Sequence, residues 1–410
     1  MKIFFKLISI IFIIAISIFI GHENPEVVDK SKKFVKYYLK KIGVVKTFQL
    51  DIKNSKEPLI QTNVNQQDYF GNSFSLELNK FLTLNGKTAG LIFHNDEDFV
   101  VFMQNGKKIL KNKVEEINIP LNFTTEKEGG VRSIFSINKK YFALISRKKL
   151  NCYYASLIRL FDQNEVFNSK CIVDQDNVNF AGIGGAYIFE KDDLLLAIGT
   201  PTHDSDKIDL LAQSKDSIFG KIFKFKTKDL LNKNTMSDFE FYSIGHRNPQ
   251  GMIKIKNDIY ATEHGPQGGD ELNIIFENKN YGWPIVSLGT RYGGKSYIRK
   301  DMTGNFIEPI FSFLPAIAPS DLNECPDNLK IYYKEYDCLI GLSLKEMSII
   351  IYLIDSKNNK LINYEKILLD KRLRNFGVNP DGKLFLDKKN YFYVTSDKDG
   401  IYKLKFKDFR

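Results

Sequence analysis

The chain has 410 residues, of which 43% are hydrophobic and 26% are charged, proportions that are ordinary for a globular protein. Its formal net charge is +10 at pH 7. Residues 1–42 carry eight lysines and three acidic residues, so half of this excess belongs to the N-terminal segment. No run of Arg and Lys interleaved with aromatic residues occurs after that segment, and we therefore expect no nucleic-acid binding.

The N-terminus has the pattern of a membrane-targeting element. Lys2 and Lys6 precede an apolar run over residues 7–20, which suits the hydrophobic region of a signal peptide. Small residues at the spacing needed for cleavage are scarce, so residues 1–21 are predicted to be a signal peptide or an uncleaved signal anchor. As an anchor, residues 3–20 would cross the bilayer with Lys6 reaching the interface. Either alternative exports the body, to the periplasm or the outer face of the inner membrane.

Residues 22–46 predict a short basic amphipathic helix. Apolar side chains recur there at helical spacing among lysines, at Val27, Val28, Phe34, Val35, Tyr38 and Leu39. The lysines could meet anionic lipid headgroups, which would extend membrane contact over residues 1–42. A solvated linker helix in front of the folded body remains the alternative.

Residues 47–410 have the texture of an all-β protein. Short runs rich in β-branched and aromatic residues alternate with turn signals, as in GLIFHNDEDFVVFM, AYIFEKDDLLLAIGT and GKLFLDKKNYFYVT. Several units share a loose pattern of an apolar run, a polar turn and a second apolar run, which indicates a repeat architecture. A large sandwich or two separate β domains remain open on this pattern alone.

Four cysteines are consistent with an oxidising compartment, and their spacing contains no CxxC motif. Two local bridges, Cys152–Cys171 and Cys325–Cys338, are the economical pairing among three connectivities. Buried free thiols are the alternative.

The densest cluster of polar, Gly and Pro residues lies between residues 245 and 284. It contains GHRNPQG, then TEHGPQGGDELN, then NYGWP. Gly and Pro fix the backbone so that carbonyls and amides can point inward, while the polar side chains supply charge and hydrogen bonds. Because three such segments occur so close together, they predict a loop system that holds a ligand, rather than tight turns alone.

This region closely resembles the soluble glucose/sorbosone dehydrogenase (aldose sugar dehydrogenase) family. Further stretches are similar to the family pattern: AQSKDSIFGKIFKF, CLIGLSLKEMSIIIY and KRLRNFGVNPDGKLFL. The resemblance covers residues 182–405 and is faint over residues 47–180. It implies a six-bladed β-propeller over residues 47–410 that uses pyrroloquinoline quinone (PQQ) and Ca²⁺. It also implies oxidation of an aldose or related alcohol, with electrons passing to a quinone or cytochrome acceptor.

The resemblance also implies the site residues. Cofactor binding falls to Arg247, Asn248, Lys345, Arg372 and Arg374, which suit a flat tricarboxylate because four of them are cationic. Arg374 would also stabilise the reduced oxyanion. Calcium binding falls to the carbonyls of Gly265 and Pro266, since this ion prefers oxygen ligands.

One departure from the family concerns the general base. The family has a His in a stretch that here reads GIGGAYIF, with Gly182 at the His position and Ala186 at the position of an Arg. Asp270, which orients that His in the family, is retained. The open alternatives are a substitute His at 203 or 264, a carboxylate base at Glu128 or Asp270, or a shifted alignment.

Loss of the base leaves two main hypotheses for function. The first is a PQQ-dependent sugar dehydrogenase. The second is a catalytically degenerate propeller that binds a sugar, glycan or protein partner without turnover. A propeller lactonase is a third class, and the four cationic residues argue against it because an uncharged lactone does not need them.

Overall fold

The computed structural model describes residues 67–71, 73–110, 113–173, 178–202, 205–233, 240–292, 297 and 305–407. The predictions for residues 1–21 and 22–46 lie outside this part of the chain. Within it, strands dominate, as the sequence predicts. The helices are short: α1 (Asp206–Asp209), α2 (Thr227–Asn232), α3 (Asp327–Lys330) and the 3-10 turns Glu126–Glu128, Phe180–Ile183 and Leu210–Ala212. None of these described helices has the length and apolarity needed to cross a membrane.

The described strands form six antiparallel units, and the first two of these strands belong to the last unit. These two are β1 (Gln67–Phe70) and β2 (Ser75–Leu82). Unit 1 contains β3 (Thr88–Phe93), β4 (Phe99–Met103), β5 (Lys107–Leu110) and β6 (Lys113–Glu116). Unit 2 contains β7 (Val131–Ile137), β8 (Lys140–Lys149), β9 (Cys152–Arg159), β10 (Glu165–Asn168) and β11 (Ile172–Val173).

The next two units follow the same plan. Unit 3 contains β12 (Gly184–Glu190), β13 (Asp193–Ile198), β14 (Lys221–Lys226) and β15 (Glu240–Ile244). Unit 4 contains β16 (Pro249–Ile255), β17 (Asp258–Glu263), β18 (Asp270–Ile274) and β20 (Phe311–Phe313). The two-residue strand β19 (Lys279–Asn280) pairs parallel with β15 and so links the loop after unit 4 back to unit 3.

The last two units complete the sequence of sheets. Unit 5 contains β21 (Pro319–Glu324), β22 (Asp337–Ser343), β23 (Ser348–Asp355) and β24 (Lys360–Leu368). Unit 6 contains β25 (Leu373–Val378), β26 (Phe392–Ser396) and β27 (Gly400–Lys407), followed by β2 and β1. The strand β2 pairs with β27 in the register Leu78 opposite Leu404, so the two ends of the described chain build one sheet.

The first strands of the units form a cycle. β3, β7, β12, β16, β21 and β25 contact one another in that order, and β25 returns to pair in parallel with β3. Together they line a single axial cavity of about 70 Å³. This cyclic, propeller-like arrangement differs from a two-layer sandwich, in which no cavity would be lined by all six sheets.

Packing between units explains why the strands are apolar on both faces. In β23, Ile349, Ile351 and Leu353 pack in a cluster with unit 6, whereas Ile350, Tyr352 and Ile354 pack in a cluster with unit 4. Successive side chains of a strand point to opposite faces, so a sheet held between two others needs a continuous apolar run. Each fully buried side chain of this size contributes about 1.5–3 kcal/mol.

Both predicted disulfides are present. Cys152 at the start of β9 is bonded to Cys171 just before β11, and Cys325 after β21 is bonded to Cys338 in β22. Each bridge therefore lies within one unit, as the local pairing predicts. The alternative of buried free thiols is wrong.

Candidate functional site

The centre of the candidate site is the carboxylate of Asp270, at the start of β18. Its Oδ1 accepts a hydrogen bond from the backbone amide of Gly265 at 2.9 Å. Its Oδ2 accepts from the amides of Ile317 at 2.7 Å and Ala318 at 2.6 Å. Asp270 is only 1% exposed. A buried carboxylate with three amide donors fixes the loop before β18 against the loop before β21.

The second of these loops positions Lys345. The amide of Lys345 donates to the Ile317 carbonyl at 3.1 Å, and the amide of Leu344 donates to the Ala318 carbonyl at 2.9 Å. The Lys345 side chain is exposed and has no hydrogen-bond or ion-pair partner among the described residues. Arg372 Nη1 donates to the Leu344 carbonyl at 3.2 Å, which brings a second cation beside Lys345.

Arg374 lies two residues further along and is largely neutralised. Its guanidinium forms a two-pronged pair with Asp397, with Nη2 at 2.7 Å from Oδ2 and Nε donating to Oδ1. Arg372 Nε is 3.5 Å from the same carboxylate. Two arginines therefore share one carboxylate, and the group keeps a net positive charge. The sequence does not indicate that Asp397 belongs to the site, because its surroundings have the pattern of an ordinary hairpin turn.

Arg247 reaches the same loops from the other side. Its Nη1 donates to the carbonyls of Gly265 at 2.7 Å and His264 at 3.2 Å, and its guanidinium stacks over Trp283 at 5.2 Å. The side-chain oxygen of the neighbouring Asn248 accepts from Gln250 at 2.6 Å. The predicted cationic residues are thus connected through short contacts around Asp270.

His264 is held in one tautomer. Its Nε2–H donates to the Pro319 carbonyl at 2.6 Å. Burial lowers the pKa of His264 below its usual value, so the ring is neutral at pH 7. The charges of Arg247 and Arg374 lower this pKa as well.

A buried network supports the loops from beneath. Glu263 accepts from the amide of Arg247 at 2.9 Å, from Asn273 at 3.0 Å and from His246 Nδ1 at 3.2 Å. Asn273 also donates to Glu271 at 3.0 Å. Burial raises the pKa of Glu271 to about 8, and the charge of Glu263 adds to this rise. The acidic residues of the dense sequence segment are therefore structural supports of the loops.

Backbone atoms surround Gly182, the residue that the resemblance aligns with the family's His. A Cβ added at Gly182 would lie 2.3 Å from the Thr200 carbonyl oxygen, so a larger side chain does not fit there without a backbone shift. Arg132 Nη2 donates to the carbonyl of the adjacent Ala181 at 3.2 Å. The turn containing Glu128, which is exposed, contacts the Phe180–Ile183 turn. His203 lies outside the described residues.

The chemistry of these side chains fits a flat polycarboxylate. Lys345 is unpaired within the described chain, Arg372 is half-exposed, and Arg247 is paired only with neutral carbonyls and an aromatic face. The carbonyl oxygen of Gly265 is a ligand of the kind that calcium prefers. In this structure it accepts a hydrogen bond from Arg247. Among the described residues, no three His, Cys, Asp or Glu side chains are grouped as a metal site would require.

The fold and this site define a class of protein. A model of the glucose/sorbosone dehydrogenase family matches residues 91–393, about three-quarters of the chain. The chain belongs to this family, and the resemblance stated from its motifs is confirmed.

Curated relatives match over shorter stretches. An uncharacterized protein of Synechocystis sp. is 31% identical over 196 residues, which is 45% of this chain and 46% of that protein. The aldose sugar dehydrogenase YliI of Escherichia coli is 28% identical over 228 residues, which is 52% of this chain and 57% of that protein. The chain thus spans about half the length of these relatives.

Solved structures share the fold over most of the chain. The soluble aldose sugar dehydrogenase of Escherichia coli in its apo form superposes with a TM-score of 0.62 at 20% identity, covering 80% of this chain and 99% of that one. The PQQ-bound form of an aldose sugar dehydrogenase from Streptomyces coelicolor gives a TM-score of 0.54 at 20% identity, covering 81% and 98%.

Proposed function

We propose that the protein is an exported, PQQ-dependent sugar dehydrogenase built on a six-bladed β-propeller, with each sheet unit serving as one blade. It oxidises an aldose or a related alcohol and passes electrons to a quinone or cytochrome acceptor. The observation that carries this proposal is the cationic cluster of Arg247, Lys345, Arg372 and Arg374, joined through the loops that Asp270 holds.

The cationic side chains would bind different parts of the cofactor. Lys345 and Arg372 are the exposed cations and would pair with carboxylates, while Arg247 and Asn248 would contact the rim of the ring system. When bound, PQQ supplies an ortho-quinone that accepts the electrons removed from the sugar. Gly265 and Pro266 would supply carbonyl oxygens to Ca²⁺ beside it.

Among the candidates for the proton acceptor, we favour Glu128. Both oxygens of Asp270 are occupied by backbone amides, and His264 Nε2 is bonded to Pro319. Glu128 is an exposed carboxylate beside the turn that contains Gly182. It would take the proton of the substrate hydroxyl. Asp270 is then a positioning residue, which acts by fixing the loops that carry the cationic side chains.

Glu128 is tested by its neutral isostere. Because a general base contributes about 10²–10⁴-fold, Glu128→Gln is expected to lower kcat by about 10² or more. Cofactor affinity should stay unchanged, since Glu128 is not among the cofactor's cationic partners. A variant with normal kcat would remove Glu128 from the mechanism and leave His203 as the next candidate.

The cofactor proposal is tested by reconstitution with PQQ and Ca²⁺. We expect saturating PQQ to raise the Tm and to yield dye-coupled oxidation of aldoses, and a chelator to reverse both effects. Lys345→Ala should weaken PQQ binding about tenfold, whereas Lys360→Ala, which removes an exposed lysine at the start of β24, should not. Absence of any PQQ-dependent shift in the wild-type protein would refute the cofactor proposal.

A binding protein without turnover is the second candidate. It is favoured by the closed backbone at Gly182, where a Cβ would lie 2.3 Å from the Thr200 carbonyl. In that case PQQ or a sugar would still raise the Tm, but no aldose would be oxidised. A measurable rate that Lys345→Ala abolishes would exclude this candidate.

Export and membrane attachment complete the proposal. The two disulfides support folding in an oxidising compartment. Residues 1–21 would direct export, and residues 1–42 would contact the membrane. Fractionation of cells expressing the full chain tests this, because recovery of the protein in the cytoplasm would contradict it.

A further inference from the structure

The axial cavity contains an arginine that the family pattern does not explain. Arg132 is the second residue of β7, and it lines the cavity rather than the outer surface. Its Nη2 donates a hydrogen bond to the Ala181 carbonyl at 3.2 Å. Its buried Nε has no hydrogen-bond partner among the described residues. A guanidinium has five donor hydrogens, so Arg132 has donors left for a further acceptor.

A second guanidinium lines the same cavity. Arg374 enters from β25, on the unit that precedes unit 1 in the cycle. Burial, and after it the positive charge of Arg374, lower the pKa of Arg132 to about 10, although the charges of Glu128 and Asp397 act in the opposite direction. Arg132 therefore remains charged at pH 7 while it is partly stripped of water. Such a placement is costly unless an anion compensates it.

The carboxylates near the cavity do not supply that compensation in full. Asp397 already forms both prongs of its pair with Arg374, and Glu128 is exposed. Asp321 also lines the cavity, but its two oxygens accept from the amides of Leu322 and Phe376, both at 2.8 Å. Burial raises the pKa of Asp321 to about 7, so it carries only part of a charge at neutral pH.

The remaining polar lining is uncharged. Gln104, Gln250 and Asn375 also line this space. The cavity measures about 70 Å³, and one water needs about 10–15 Å³ on this measure. The space therefore admits a group of a few heavy atoms, such as a carboxylate, and excludes a whole sugar ring.

We propose that Arg132 and Arg374 form a carboxylate-binding site in the axial cavity, in addition to the exposed cations Lys345 and Arg372. The carboxylate comes either from the PQQ tricarboxylate or from an acidic sugar such as a uronic acid. This inference rests on the proposed function for its ligand, but Arg132 itself is a feature of this chain. Planar guanidinium groups are suited to carboxylates because two parallel N–H donors match two oxygens.

The first arm of the test measures PQQ binding to the full-length, PQQ-free protein. Trp283 is the only tryptophan of the chain and stacks with Arg247, so its fluorescence reports on the site. We expect Arg132→Leu to raise the Kd for PQQ at least tenfold, with Arg132→Lys intermediate. Lys149→Gln, which removes one exposed positive charge from the same unit, should bind PQQ as the wild type does. The Tm of unliganded Arg132→Leu should not fall, which separates a lost ligand contact from misfolding.

The second arm compares substrates. If the carboxylate comes from the sugar, Arg132→Leu leaves the Kd for PQQ unchanged. It should then lower kcat/KM for a uronic acid at least tenfold relative to a neutral aldose. If neither the Kd nor this ratio changes, the site is refuted.

Failure of the proposed function gives a different result. Should the wild-type protein not bind PQQ at all, calorimetry with a uronic acid alone decides the matter. Binding that Arg132→Leu abolishes would support the carboxylate site without the cofactor, and no binding would overturn it.

Discussion

Replacement of Asp270 by Asn separates two roles for this carboxylate. In the wild type, three backbone amides converge on its two oxygens, from Gly265, Ile317 and Ala318. Asparagine keeps the shape but has one oxygen and an NH₂ group. Whichever way the amide is oriented, at least one buried backbone N–H then faces another donor.

The expected loss of stability follows from these three bonds. An orphaned buried donor costs about 1–3 kcal/mol, and each remaining bond loses about 1 kcal/mol when its acceptor is no longer charged. Asp270→Asn should therefore reduce the free energy of unfolding by about 3–5 kcal/mol. At about 1.4 °C per kcal/mol for a protein of this size, the Tm falls by about 4–7 °C. The affinity for PQQ should fall as well, because the loops carrying Gly265 and Lys345 lose their common anchor.

Thermal unfolding of the PQQ-free protein measures this effect. Asp192→Asn is the matched control, because Asp192 is exposed in a turn of unit 3 and its side chain has no hydrogen-bond or ion-pair partner among the described residues. The reasoning fails if Asp270→Asn unfolds within about 2 °C of the wild type. If such a stable variant also lost about 10² or more in kcat, Asp270 would be the general base after all.

Three further changes test the supports of the site. The pKa of Glu271 is raised above its unfolded value by burial and by Glu263, so the native state retains a proton that the unfolded chain loses between about pH 4.5 and 8. The unfolding free energy of the wild type should therefore fall as the pH rises across that window, by up to about 1.4 kcal/mol per pH unit. Glu271→Gln should lack this contribution, and urea titrations of both proteins at several pH values will measure the difference. Serine at both Cys325 and Cys338, which are 13 residues apart, should cost about 3 kcal/mol of unfolding free energy. Because reduction of the wild type also opens Cys152–Cys171, the check is a Tm between those of the oxidised and the reduced wild type. Gly251→Ala would place a Cβ 2.3 Å from a backbone nitrogen of β21. We therefore expect about 3 kcal/mol of destabilisation. An unchanged Tm would instead show that units 4 and 5 can move apart to accommodate the methyl group.

The sequence predicts those parts of the site that rest on local patterns. The segments around Arg247 and Lys345 were identified from motifs a few residues long, and the structure connects them through Asp270 and the loop at Ile317. Local pairing of the cysteines predicts both disulfides, and in the structure each one joins neighbouring strands of one unit. The apolar runs predicted strands, and burial on both faces accounts for their lack of alternation.

The remaining features depend on the register between distant strands. Nothing near Asp397 indicates that it pairs with Arg374, and nothing near Arg132 indicates that it faces the axis. The tautomer of His264 is set by a carbonyl of another unit. Such contacts follow from how six sheets are placed around a cavity, which composition and spacing do not encode. The predictions for residues 1–46 stay predictions, because those residues lie outside the described chain.

The pairing of β2 with β27 has a consequence for how the protein is made. The edge of β2 emerges early in synthesis, whereas its partner ends at Lys407, near the end of the chain. The sheet of unit 6 can be completed only after β27 has been synthesised, because β2 pairs with that strand. Until then β2 presents unpaired backbone groups that could pair with another chain. Synthesis of β27, rather than formation of any earlier sheet, is therefore the step that allows unit 6 to be completed.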